Sequence, residues 1–179
     1  MGKNKLPAYN GGIASRTAYL GLFMALAIIF GYIESLIPVP VPVPGMKLGL
    51  TNLVVAAILY LYSWREAIVI SVLRVVVLGF LFGNMFSIVY GLSGAVLSLA
   101  VMAVLKATDK FSVVGVSCGG GVAHNTAQVI MATIMVTGFP WNWYLPILMI
   151  AGLIAGFMIG IADAIIIPRI SLGSIREVK

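Results

Sequence analysis

Six runs of apolar residues follow one another along the chain, separated only by short interruptions carrying Gly, Pro or charge. A hydrocarbon core takes roughly 20 helical residues to cross. The runs predict helix 1 near Arg16–Ile37, helix 2 near Leu48–Tyr62 and helix 3 near Arg65–Phe82. Helix 4 is predicted near Phe86–Leu105, helix 5 near Val113–Thr137 and helix 6 near Tyr144–Ile167. Helix 2 is short for a span, so it is expected to begin beneath the membrane surface or to borrow its loop. Composition closes off the soluble alternative. The chain is 61% hydrophobic and 9% charged, whereas an ordinary globular domain carries about 25% charged residues. With so few charges it could not cover a surface in water. The expected fold is an all-α integral membrane bundle of six transmembrane helices. It forms one domain over residues 16–170, with an N-terminal tail (1–15) and a C-terminal tail (171–179). The length leaves no room for a second domain.

The net charge of +6 raises the question of a nucleic-acid partner. The basic residues sit at the ends of apolar segments rather than in a patch, so no nucleic acid is expected. Crossing the membrane six times places Lys3, Lys5, Arg16, Arg65, Lys106, Lys110, Arg169, Arg176 and Lys179 on one side. Only Lys47 falls on the other, and Arg74 lies within a helix. The positive-inside rule makes both termini cytoplasmic, in a multi-pass protein of the cell membrane. An odd number of helices would split the basic set. Trp141 and Trp143, in the outer loop between helices 5 and 6, suit an interfacial aromatic belt. The first apolar run is too long for a signal-peptide core and lacks a small-residue cleavage site. Cys118 is the lone cysteine, which excludes a disulfide within the chain.

Two neighbouring features mark the outer end of helices 1 and 2. Pro38, Pro40, Pro42 and Pro44 alternate with valine and lead to Gly45. Each proline fixes φ and pushes its predecessor out of the helical region, so the stretch is extended and stiff. It is either a rigid spacer or a preordered lid over an outward-facing cavity. Beyond it lies Lys47, at the expected N-terminus of helix 2, where backbone N–H groups and the helix dipole already favour an anion. Lys47 either pairs with Glu34, about a turn inside helix 1, or contacts a substrate.

Ionisable and polar residues also lie within the bilayer. Arg74 is halfway along helix 3, where insertion of an unpaired cation costs roughly 2.5–3.5 kcal/mol. It should face the bundle interior and have a partner. In helix 5, Gly119–Gly121 are followed by His124, Asn125 and Gln128. His124 and Gln128 share one helix face at the depth of Arg74. Such residues serve either as interhelical glue or as the lining of a polar cavity. Asn52 and Asn84 complete the candidate ligand-binding set with Glu34, Lys47, Arg74, His124, Asn125 and Gln128. Asp163, nearer the cytoplasmic end of helix 6, is expected to pair with Arg169 or Arg74. Small residues recur at intervals of four in helix 6, at Gly152, Gly156, Gly160 and Ala164. Helix 1 repeats the spacing at Gly21 and Ala25, then at Ala27 and Gly31. Such stripes form either internal packing seams or a docking face.

Several chemistries are left without support. There is no nucleotide-binding P-loop, so the chain cannot power transport with ATP. The acidic residues Glu34, Glu66, Asp109, Asp163 and Glu177 are scattered, so no Asp-paired magnesium site is visible. One His and one Cys do not make a zinc site or a nucleophile–base pair. Haem and iron–sulfur ligand sets are missing too. No metal or cofactor is expected.

The stretches Pro44-Gly-Met-Lys-Leu-Gly-Leu-Thr-Asn52, Glu66-Ala-Ile-Val-Ile-Ser-Val-Leu-Arg74 and Val122-Ala-His-Asn-Thr-Ala-Gln128 resemble one membrane family. It is described as Gx transporter or as heptaprenyl diphosphate synthase component I, and the resemblance runs from about Arg16 to Arg169. That family is similar to the substrate-binding S components of energy-coupling factor (ECF) transporters. The resemblance implies a six-helix bundle that binds a small molecule under a loop and docks through small residues of helix 1. Here the lid would be Pro38–Gly45, and the docking seam Gly21, Ala25, Ala27 and Gly31. S-component docking motifs are alanine-rich, whereas this helix offers mixed Gly/Ala pairs.

Two functions are therefore carried forward. The first is the substrate-binding membrane subunit of a small-molecule importer, energised by an ECF-type transmembrane and ATPase module. Its ligand would be small and anionic, or prenyl-like or vitamin-like. The second is the membrane subunit, component I, of a polyprenyl (heptaprenyl) diphosphate synthase, in which Lys47 or Arg74 holds a diphosphate and catalysis resides in a partner.

Overall fold

The structure, a computed structural model, describes residues 12–36 and 49–176. The proline stretch Pro38–Gly45 and Lys47 lie outside the described residues, as do most of the N-terminal tail and residues 177–179. Among the described residues six helices run in chain order: α1 (Ile13–Leu36), α2 (Leu50–Leu61), α3 (Trp64–Phe82), α4 (Met85–Ala107), α5 (Val113–Met135) and α6 (Trp141–Arg176). The described residues contain no strand. Three helices are long and apolar enough to cross a membrane: Ile13–Leu36, Met85–Ala107 and the Trp141–Ile170 part of α6. The 19 residues of α3 and the 23 of α5 are as long as a span needs. Arg65, Glu66 and Arg74 in α3, and His124, Asn125 and Gln128 in α5, make these two more polar.

The helices close into a ring. α1 packs on α2 and α3, α2 on α6, α6 on α5, α5 on α4, and α4 on α3, while α2 also touches α3 across the ring. The tightest joint is α5 against α6, where glycine lets backbone meet backbone. A Cβ on Gly121 would collide with the Gly152 carbonyl, and one on Gly156 would lie 2.8 Å from Cys118 Cα. One on Gly160 would lie 2.6 Å from Val114 Cα. The stripe in α6 is thus an internal seam as far as Gly160, whereas Ala164 is exposed. The pairs in α1 separate. Ala27 is fully buried and Gly31 takes the Leu78 side chain of α3, whereas Gly21 and Ala25 face outward and nothing approaches the Gly21 Cβ position.

α2 is the core element. Its 12 residues rise about 18 Å, so the helix by itself covers only part of a hydrocarbon core of roughly 30 Å. A helix apolar all round sits either in a protein core or against lipid, and α2 sits in the core. Accordingly, Val54, Val55, Ala56, Ala57, Ile58, Leu59 and Leu61 are all buried. Both ends then need charged partners from other helices, because little water is present to satisfy them. The Glu34 carboxylate of α1 accepts the Gly49 N–H at the N-terminus. At the other end the Lys106 ammonium of α4 donates to the Leu59 carbonyl and lies 4.8 Å from the centre of the Tyr60 ring. Each charge has the sign that the helix dipole favours. Gly49 holds φ +78°, the left-handed conformation that glycine adopts without steric cost.

The remaining caps are local. Ser63 accepts from the Arg65 N–H and Ser112 from the Gly115 N–H, starting α3 and α5. Asn84 and Ser87 form a reciprocal capping box on α4. Arg16 and Glu66 pair across the ends of α1 and α3, with the Ser63 hydroxyl also donating to Glu66.

Two expectations are corrected. α6 does not end at Ile167 but runs through Pro168 and into the supposed C-terminal tail. A proline deletes one helical hydrogen bond, and membrane helices tolerate this because neighbouring groups re-satisfy the freed carbonyl. Asp163 forms no ion pair with Arg169 or Arg74 among the described residues. It is fully buried with neither carboxyl oxygen hydrogen-bonded, and Arg169 points away to the exposed side.

Candidate functional site

A cavity of about 320 Å³ occupies the ring. Its mouth lies where α1 and α3 end and α4 begins, lined by Ser35, the exposed Phe82 and Gly83, and Ser87. Its floor lies toward the C-terminal half of α4 and the N-terminal turns of α5, at Ser98, Met102 and Ser117, all buried. The volume is at the lower end of the range for small-molecule pockets, about 300–1,000 Å³.

Arg74 is the dominant group. Its helix position turns it inward, and it is only 4% exposed. Nη2 donates to Asn52 Oδ1 at 2.8 Å, while Nε is buried without an acceptor. Asn52 therefore fixes one arm of the guanidinium fork and leaves the rest facing the cavity. No carboxylate reaches ion-pair distance of Arg74 among the described residues, although Glu34 is close enough to act on it electrostatically. A buried cation held by one neutral amide is under-compensated, and an anionic group entering the cavity would supply what is missing.

α5 presents the opposite wall. Ser117, Gly121, His124 and Gln128 follow at intervals of four, three and four, which keeps them on one helix face. Gln128 Oε1 and Ser117 Oγ are buried without hydrogen-bond partners among the described residues. His124 lies flat against α4 because residue 94 is glycine; a Cβ there would sit 2.8 Å from the imidazole Cε1. Asn125 is partly committed to the fold, donating to the Leu148 carbonyl of α6 at 2.7 Å.

Six of the eight candidate ligand-binding residues thus come together around one space: Glu34, Asn52, Arg74, His124, Asn125 and Gln128. Lys47 lies outside the described residues. Asn84 does not join them, since it is exposed and its side chain is spent on capping α4. A short polar residue before a helix meets that need first. Lining hydroxyls at Thr51, Ser87, Ser98 and Ser117 were not among the candidates. A signal for them exists, because Ser87, Gly91, Ser98 and Met102 share the inner face of α4 at helical spacing. Among the described residues no group of three His, Cys, Asp or Glu side chains could hold a metal ion.

Comparison with known families now bears on this geometry. A family model described as heptaprenyl diphosphate synthase component I matches residues 23–166. The chain belongs to the heptaprenyl diphosphate synthase component I family. The matched stretch contains every residue that lines the cavity. No curated protein and no solved structure matches the chain.

Proposed function

We propose that this member of the component I family is a membrane-embedded binding subunit. It holds a small molecule by an anionic group on Arg74, inside the helix ring, and leaves chemistry or energy supply to a partner. The observation that carries the reading is the buried, under-compensated Arg74 on the wall of a cavity lined by further polar groups. An intramembrane cation of this kind is costly, and a ligand-binding role explains why it is there.

The family description, heptaprenyl diphosphate synthase component I, gives the reading its first form, in which the chain is a membrane subunit that does no catalysis itself. Arg74 would hold the diphosphate, and a long prenyl tail would leave the small cavity between helices into lipid. The sequence has no aspartate-rich magnesium motif, so bond formation falls to the partner component. The second form is the substrate-binding, S-component-like subunit of an importer, with an ECF-type transmembrane and ATPase module as partner. What favours it is a cavity sized for a compact molecule and opening at the end of the bundle that carries the α1–α2 connection. In both forms the chain is a single membrane domain that crosses the cell membrane six times, with both termini cytoplasmic.

Titration of the purified chain in lipid nanodiscs with isoprenoid diphosphates tests the common claim. Arg74→Gln removes the cation and leaves its partners buried, so affinity should fall about 30-fold or more. Binding unchanged in that variant would refute the site. Reconstitution with the family's catalytic component, comparing product length and rate with and without this chain, separates the two forms.

A further inference from the structure

The two buried charges of the cavity, Glu34 and Arg74, have opposite sign and yet do not meet. Among the described residues the ion pair is between Arg16 and Glu66 instead. Glu34 is only 8% exposed, and its Oε1 accepts the Gly49 N–H. Arg74 spends Nη2 on Asn52 Oδ1. Gly49 is the N-cap of α2, and Asn52 lies three residues further on. The first turn of one helix therefore holds a carboxylate and a guanidinium apart, each by a neutral partner, on the wall of the same cavity.

Opposite charges gain Coulomb energy as they approach, and the gain is large where water is scarce. A pair kept open gives the cavity a positive and a negative pole. Its unsatisfied atoms are of both kinds as well, since Arg74 Nε lacks an acceptor and Gln128 Oε1 lacks a donor. A bare polyanion would satisfy Arg74 but press like charge against Glu34.

We propose that Glu34 selects a dipolar ligand, whose anionic group sits on Arg74 and whose cationic group sits on Glu34. This rests on the reading of the cavity as a ligand site and narrows the class of ligand. Two sources share the chemistry. One is a small zwitterion bearing an ammonium group. The other is a diphosphate that brings its own divalent cation, because magnesium is commonly held by one or two carboxylates together with substrate phosphates.

Calorimetric titration of the full-length chain in nanodiscs tests this with three probes: pyrophosphate in chelator, pyrophosphate with magnesium, and phosphoethanolamine. The wild-type chain should bind at least one of the last two about tenfold or more tighter than bare pyrophosphate. Which of them it prefers identifies the source. Glu34→Gln keeps an oxygen for the Gly49 N–H but removes the charge. It should tighten bare pyrophosphate, weaken the dipolar probe and so abolish the preference. Glu34→Asp should retain the preference. Binding that depends on Arg74 but shows the same preference in Glu34→Gln overturns the selectivity claim alone. No binding of any probe to the wild-type chain overturns the anion site beneath it.

Discussion

Replacing Lys106 by methionine isolates the role of a charge that reaches into the bundle to finish another helix. Methionine keeps most of the aliphatic stem but loses the ammonium. The variant forfeits the hydrogen bond to the Leu59 carbonyl, worth about 1.5–3 kcal/mol for a charged donor. It also loses the contact with the Tyr60 ring, worth about 0.5–2 kcal/mol. Against these stands the regained cost of desolvating a half-buried ammonium, so the net loss should be about 2 kcal/mol. Opening of the last turn of α2 then becomes about 30-fold more frequent. Hydrogen exchange read by mass spectrometry on peptides covering Ile58–Tyr62 measures this as a matching fall in protection. Lys110→Met removes a nearby positive charge that is exposed, and so controls for general charge loss. Unchanged protection in Lys106→Met, or an equal fall in both variants, would refute the capping argument.

Two further outcomes follow from the packing and from the proposed topology. Gly156→Ala places a methyl group against the Ser117 carbonyl and Cys118 Cα, which no side-chain rotation can relieve, so it should cost about 1–3 kcal/mol. Thermal unfolding in detergent would register the loss, and a melting temperature equal to wild type would contradict the close α5–α6 seam. In a Cys118→Ser background, a membrane-impermeant thiol reagent applied to whole cells should label cysteine at Gly138 but not at Lys110. Labelling of both, or the reverse pattern, would exclude the six-span topology.

Much of this arrangement is legible in the chain itself, for reasons that lie in particular residues. The helices are bounded by strong local interruptions, and α2 is recognisably short even on the wider Leu48–Tyr62 reading, which the fold trims to Leu50–Leu61. The meeting of Arg74 with His124 and Gln128 follows from their similar depth and the cost of leaving them in lipid. What escapes a linear reading is choice among partners. In the sequence Lys47 is the visible partner for Glu34, and only the fold brings the Gly49 N–H to its carboxylate. Lys106 reads only as a charge at the end of a span, and its bond to the Leu59 carbonyl at the buried end of α2 needs the fold to be seen. Asn84 has the composition of a ligand residue but the position of a helix cap. Pro168 looks like a stop signal by the rules of water-exposed helices, which lipid relaxes. That Asp163 has no hydrogen-bond or ion-pair partner among the described residues has no sequence signal, because Arg169 is near it in the chain but lies on the exposed side.

The glycine-to-backbone joint between α5 and α6 has a mechanical consequence. Main chains that touch directly have no side-chain slack, so neither helix can slide or tilt without breaking many contacts at once. These two helices therefore act as a single rigid plate. Any widening of the cavity mouth to admit or release a molecule must come from the opposite flank, where α1 rests on α3 through the flexible Leu78 side chain over Gly31.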